Sequence, residues 1–187
     1  MDIWHRCVDG QSGEKRAALK PGTRERLTGI STATVTMQLL KRGLRYCFIL
    51  GARALQPNDC HFVAEACTLR FIPMKEDLSK VEVLGDPNYP PREAVEKFPT
   101  GMALVIDARG ELGAGVIGYI LAARMQERGV TAVVRDDPMR DGVTVAAVPY
   151  PISAPVSLRR PACTCILALT CNVPSPVAAL PSCPVMF

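Results

Sequence analysis

Two stretches of this chain put chemically capable residues at meaningful spacing. Gly113-Ala114-Gly115-Val116-Ile117-Gly118 satisfies the G-x-G-x-x-G pattern, between an apolar run and a helix-forming one. Small residues at a helix start leave backbone N–H groups exposed, and that positive end holds a phosphate or the carboxylate of a small oxo-acid. Arg140-Asp141 follows the next apolar run. An arginine fork clamps a carboxylate or keto oxygen in bidentate fashion, and an adjacent aspartate holds Mg²⁺ or Mn²⁺ directly or through water. The bland alternative is an exposed loop pair.

Two other constellations are weaker. Asp136 lies 18 positions after Gly118, close to a dinucleotide fingerprint. However, Ala108 to Leu112 intervene between the strand-like run and the first glycine, and the chain has no room for a second mononucleotide-binding half. No G-K-[ST] follows, which excludes a P-loop. Cys163, Cys165, Cys171 and Cys183 form C-x-C-x5-C-x11-C, with no paired C-x2-C knuckle and no nearby histidine, which argues against zinc. His61 sits in a strand-like run and reads as structural.

The elements that must position these residues follow from periodicity. Residues 1–22 are polar and end in Pro21-Gly22, a flexible leader. Ser31 or Thr32 caps a helix with Val35, Met37, Leu39 and Leu40 on its apolar face and Gly43 as its stop. Tyr46–Leu50, Phe62–Ala64 and Ala66–Ile72 are rich in aromatic and β-branched residues and read as strands. Residues 86–91 read as a loop and 92–97 as a short helix. Met102–Asp107 is a strand, Val116 to Arg128 a helix stopped by Gly129, and Val130–Val134 a second strand, which together make a βαβ pattern. Val143–Val148 reads as one more strand. The class is α/β.

Bulk properties exclude several functions. The chain has 187 residues and a net charge of +4, with 5% aromatic residues, so it shows no basic stripe interleaved with stacking groups for nucleic acid. Its start lacks an apolar signal-peptide core, and scattered Cys7, Cys47, Cys60 and Cys67 suit free thiols in a reducing cytoplasm. Residues 161–187 are uncharged, but prolines 174, 176, 181 and 184 argue against a membrane-spanning helix.

The sequence resembles the RraA-like family, which groups class II 4-hydroxy-4-methyl-2-oxoglutarate aldolases with proteins named regulator of ribonuclease activity A. The resemblance rests on Ser31–Thr36 through Lys41–Arg45, on Ala66–Pro73, on Leu104–Gly110 and on Arg140-Asp141, and covers about residues 23–151. The family's pattern is G-D, twenty residues, then R-D. Here Gly118-Tyr119 precedes Arg140-Asp141 with residues 120–139 between, so the spacing is kept and the acid is replaced by tyrosine.

The resemblance implies a compact α/β/β sandwich, assembled as a homotrimer or paired trimers, with the βαβ unit at the active site. It implies that Gly118, Tyr119, Ile120 and Leu121 contribute to the substrate site, that Arg140 binds the 2-oxo-acid and acts in catalysis, and that Asp141 is associated with a divalent metal, Mg²⁺ or Mn²⁺. The implied reaction is retro-aldol cleavage to pyruvate, with oxaloacetate decarboxylation as a side activity because both pass through the pyruvate enolate. A phenol, with a pKa of about 10, is a poor base at neutral pH. Tyr119 therefore implies a different substrate or weak catalysis. The alternatives are a non-catalytic regulator that binds a ribonuclease, or an inactive fragment.

The end of the chain departs from that family. From Gly142 to Phe187 the only charged residues are Arg159 and Arg160, and the stretch holds eight of the 16 prolines and four of the eight cysteines. Residues 175–187 are encodable so that a shifted frame reads Ala-Cys-Gly-Gly-Val-Ala-Val-Met-Pro-Gly-Asp-Val, the run the family carries after this point. The expectation is an incomplete family domain over 23–152, followed by an aberrant tail over 153–187, disordered or out of frame from between about Ser153 and Ser175. Resequencing the gene checks it.

Overall fold

The computed structural model describes residues 19–45, 47–49, 51–56, 60–73, 82, 86, 89–113, 115–155, 166–171 and 184–186. Its strands are β1 (Arg53–Ala54), β2 (Val63–Pro73), β3 (Ala103–Asp107), β4 (Ala132–Arg135), β5 (Ile152–Ala154), β6 (Ile166–Cys171) and β7 (Pro184–Met186). Its helices are α1 (Thr23–Thr28), α2 (Thr32–Lys41), α3 (Pro90–Glu96), α4 (Tyr119–Glu127) and α5 (Gly142–Val145).

Every residue of β3 and β4 is buried, as expected for strands covered on both faces. Alternation divides them between two cores. Leu104, Ile106 and Val133 join one, with Phe98, Ala122 and Met125 from the α3 and α4 regions. Ala103, Val105, Ala132 and Val134 join the other, with Phe62 and Ala64. Because the side-chain period is two, a one-residue slip would exchange these sets, and that fixes the register.

Strands β2, β3, β4 and β5 run parallel, with Cys67 opposite Leu104, Leu104 opposite Val133 and Val133 opposite Ile152. Described strands follow the order β1-β5-β4-β3-β2-β6, with β7 also on β2. The end pairings β1·β5, β2·β6 and β2·β7 are antiparallel. The fold class is therefore α/β, and β3-α4-β4 is the βαβ unit that the sequence predicts.

Four local expectations need correction. Val143–Val148 is not a strand: α5 forms instead, with Val145 N donating to Asp141 O and Ala146 N to Gly142 O. Val145 and Val148 are buried while Val143 is exposed, a helical rather than a two-residue spacing. Helix α4 starts at Tyr119 rather than Val116, because Val116 and Ile117 are buried in a loop whose backbone is bonded elsewhere. Cys47–Ile49 forms no strand, and residues 46 and 50 lie outside the described set. Helix α3 begins at Pro90, where proline's fixed φ and missing N–H suit the first turn.

Helix α2 forms as predicted, with the Ser31 hydroxyl accepting from Thr34 N at 3.3 Å and Gly43 at φ +85° beyond its end. None of its side chains is buried, so its apolar residues do not join either core. Residues 1–18 of the leader, and Cys163, Cys165 and Cys183, lie outside the described residues. Among the described residues, no helix is long and apolar enough to cross a membrane.

Candidate functional site

Parallel strands deliver their following loops to one end of the sheet, and ligands in such sheets bind outside the carboxyl ends. Here the loops after β3 and β4 meet there. The two non-glycine residues with positive φ among those described are Arg109, at 62°, two residues past β3, and Asp141, at 54°, in the loop past β4. Such conformations cost free energy and cluster at functional sites.

Gly118 is the N-cap of α4, and the Tyr119 amide donates to Asp141 Oδ2 at 3.4 Å. A Cβ on Gly118 would lie 2.9 Å from that same oxygen and 3.7 Å from Arg140 Cβ. A Cβ on Gly115 would lie 2.6 Å from Arg140 Cγ and 3.0 Å from the Pro138 carbonyl. The glycines are thus needed for close approach between the loop before α4 and the Arg140-Asp141 turn. The Arg140 amide donates to the Ile117 carbonyl at 3.4 Å, a second link across the gap.

The fold therefore brings Gly118, Tyr119, Arg140 and Asp141 together. Asp141 sits at the N-terminal end of α4, where exposed amides and the helix dipole favour negative charge. Arg140 is partly buried, and Tyr119 is 44% exposed. Ile120 is 82% exposed, whereas Leu121 packs in part against the α3/α4-side core. Among the described residues no three His, Cys, Asp or Glu side chains form a metal cluster.

The sequence marks Asp136 only by its spacing from Gly118, close to that of a dinucleotide fingerprint. In the structure its carboxylate is committed to the backbone, accepting from Ala108 N at 2.7 Å and Gly110 N at 2.9 Å. Burial pushes the Asp136 carboxyl above the usual carboxylate range, and these two amides oppose that rise. Asp107, at the end of β3, is buried and pairs with Arg70 of β2 at 3.3 Å.

A second feature was missed entirely. Arg135 and Asp137 are completely buried and form a two-point ion pair, Nε to Oδ1 at 2.8 Å and Nη2 to Oδ2. Arg135 also donates from Nη1 to the Ile117 carbonyl at 3.3 Å and to Met139 Sδ at 3.3 Å, and from Nη2 to the Pro138 carbonyl at 2.8 Å. Asp137 Oδ2 accepts from Val116 N at 2.9 Å. The available signal was an Arg and an Asp two positions apart, directly after the apolar run Val133-Val134.

Fold and site thus define an α/β protein with paired loops at the carboxyl ends of β3 and β4. A family model for RraA-like proteins, described as Aldolase/RraA, matches residues 32–163, and the chain belongs to that family. No protein with a curated description matches. Among solved structures, the chain resembles Streptomyces coelicolor RraAS2, described as an unusual member of the RNase ES inhibitor RraA protein family. The TM-score is 0.73 and the identity 23%, over 90% of this chain and 79% of that one. It also resembles a Geobacillus kaustophilus structure named S-adenosylmethionine:2-dimethylmenaquinone methyltransferase, with TM-score 0.52 and 25% identity, over 71% and 72% of the two chains. The RNA-processing inhibitor RraA of Thermus thermophilus matches with TM-score 0.51 and 22% identity, over 74% of each chain. These likenesses support the fold, and the differing activities in the names belong to those proteins.

Proposed function

We propose that this protein is a divalent-metal-dependent lyase that cleaves 2-oxo acids of the 4-hydroxy-4-methyl-2-oxoglutarate type to pyruvate, with oxaloacetate decarboxylation as a second activity. The observation that carries this reading is the meeting of Arg140, Asp141 and the α4 N-terminus across Gly115 and Gly118. The guanidinium of Arg140 is a two-point donor for the carboxylate or keto oxygen of a 2-oxo acid. As cleavage moves charge onto that oxygen, the same donor and the α4 amides stabilise it.

Asp141 is the residue that would hold the metal. A single carboxylate, with water and substrate oxygens completing the shell, suits Mg²⁺ or Mn²⁺ and not a closed protein cage. A metal bound there supplies Lewis-acid polarisation of the 2-oxo group. Tyr119, at the position of the family's acid, offers an O–H to a bound oxygen and no carboxylate to take a proton.

A homotrimer or hexamer is proposed from the family resemblance, as is a cytoplasmic location. The test is pyruvate release from 4-hydroxy-4-methyl-2-oxoglutarate and from oxaloacetate with Mg²⁺ or Mn²⁺. Turnover that stops with a chelator supports the reading, and no turnover on either substrate with either metal overturns it.

The alternative, regulation of a ribonuclease by direct binding, is favoured by one observation: Tyr119 removes the family's acid and is itself exposed. That role requires no metal, so an Asp141→Ala variant would still bind the ribonuclease.

A further inference from the structure

We propose that the buried Arg135–Asp137 pair positions the site, setting the separation between the Gly118-Tyr119 limb and the Arg140-Asp141 limb; this rests on the lyase reading. The direct links between those limbs, Tyr119 N to Asp141 Oδ2 and Arg140 N to Ile117 O, are both 3.4 Å and therefore weak. Beneath them the pair makes shorter bonds to both limbs at once. Asp137 Oδ2 accepts from Val116 N of the first limb at 2.9 Å, and Arg135 Nη2 donates to the Pro138 carbonyl of the second at 2.8 Å. Arg135 Nη1 also donates to the first limb at the Ile117 carbonyl, at 3.3 Å, so the short cross-limb bond is the one from Val116 N to Asp137.

The geometry above the pair has no slack. Gly115 and Gly118 stand so close to Arg140 and Asp141 that a single added carbon would collide with them. A shift of either limb by a fraction of an ångström therefore changes where the guanidinium and carboxylate lie. Stability alone does not call for such a pair, because well-packed apolar residues of similar volume commonly replace a buried ion pair without loss. A rigid, planar, five-donor fork does something an apolar pair cannot: it fixes two loops in one relative orientation. Arg135 and Asp137 touch no substrate in this account, so they are positioning residues.

The experiment compares the wild-type protein with the double variant Arg135→Met/Asp137→Val and with Asp137→Asn. Removing Arg135 alone would strand a buried carboxylate and unfold the loop, whereas the double variant removes both charges. Three readings are taken on the whole chain: thermal unfolding, kcat and KM for oxaloacetate with Mn²⁺, and site-resolved amide hydrogen exchange.

The expected result is a double variant that still unfolds cooperatively, with kcat lower by about a hundredfold, the scale of a misplacement near 1 Å. Exchange should rise at Tyr119 and Arg140 while β3 and β4 stay protected. Asp137→Asn keeps an oxygen for Val116 N but leaves the buried Arg135 charge without a carboxylate, so it should unfold at a lower temperature than the double variant. An unchanged kcat with unchanged exchange overturns the proposal, as does an exchange increase spread evenly through the sheet. If the wild type shows no turnover, the lyase reading fails by itself, and exchange at Tyr119 and Arg140 still decides the positioning role.

Discussion

The backbone amide of Tyr119 donates to the carboxylate of Asp141 at 3.4 Å, joining the start of α4 to the loop beyond β4. Because β3 and β4 are adjacent and parallel, the helix that leaves one and the loop that leaves the other emerge side by side. The twenty residues between Tyr119 and Arg140 are those needed to run down α4, turn at Gly129 and return along β4. The G-x-x20-R-D spacing is thus a measure of one crossover, and it brings its two ends within contact distance.

Gly118→Ala tests that closeness. Gly118 has φ −114°, which alanine adopts freely, so the cost falls on Asp141 Oδ2, 2.9 Å from the new carbon. Thermal stability should change by less than about 1 kcal/mol, because a side chain gives way. Pyruvate formation should fall by about tenfold or more. Gly115→Ala meets the Pro138 carbonyl at 3.0 Å as well as Arg140, and should destabilise the fold by about 1–3 kcal/mol in denaturant titration.

Gly129→Ala separates stability from the site. Gly129 has φ +72°, and a Cβ there would lie 2.7 Å from Thr100 Cγ2. Thermal unfolding should show a loss of about 1–2 kcal/mol from the left-handed backbone, plus the clash. Adding Thr100→Ser removes the clashing methyl and should recover only that second part, with activity unchanged throughout.

The pH dependence of stability should carry the mark of Asp136. Burial raises its pKa above the ordinary carboxylate value, so the native state holds this proton more tightly than the unfolded chain does. The stability it contributes is fully present below about pH 4 and is lost as pH rises through the raised value. Asp136→Asn abolishes that titration. The melting temperature of the variant relative to wild type should therefore climb as pH rises above about 4, and a constant difference would contradict the assignment.

Tyr150 is buried and its hydroxyl donates to the Ala122 carbonyl of α4 at 2.8 Å. Burial also pushes its phenol well above the usual range, so it stays neutral. Tyr150→Phe leaves that carbonyl without its side-chain donor and should cost about 1–2 kcal/mol in denaturant titration. Tyr150 is none of the residues placed in the site, and kcat should be retained.

The βαβ unit was legible because its signals are local: an unbroken apolar run, a glycine-rich turn, a helix stop at Gly129 and a second apolar run. That Gly118 and Arg140-Asp141 share a site was legible only through the family resemblance, and the single crossover between them is the physical reason they meet. Val143–Val148 misled because alternate valines fit a strand as well as a helix, and the left-handed Asp141 that starts α5 leaves no trace in periodicity. Arg135 and Asp137 were read past because charged residues after a strand look like solvent-facing loop. Their burial depends on Val116 and Ile117, about twenty residues earlier in the chain, whose backbone groups they satisfy. The apolar face of α2 suggested core packing, yet periodicity cannot say what covers a helix face, and none of its side chains is buried.

The most direct measurement is metal-dependent pyruvate release from oxaloacetate and 4-hydroxy-4-methyl-2-oxoglutarate by wild type, Arg140→Ala and Asp141→Ala. The lyase account predicts turnover by the wild type that requires Mg²⁺ or Mn²⁺. It predicts a loss of about a hundredfold or more in Arg140→Ala, the scale for removing one donor to a developing oxyanion, and loss of the metal response in Asp141→Ala. Wild-type turnover that is indifferent to chelator and to both substitutions would contradict it.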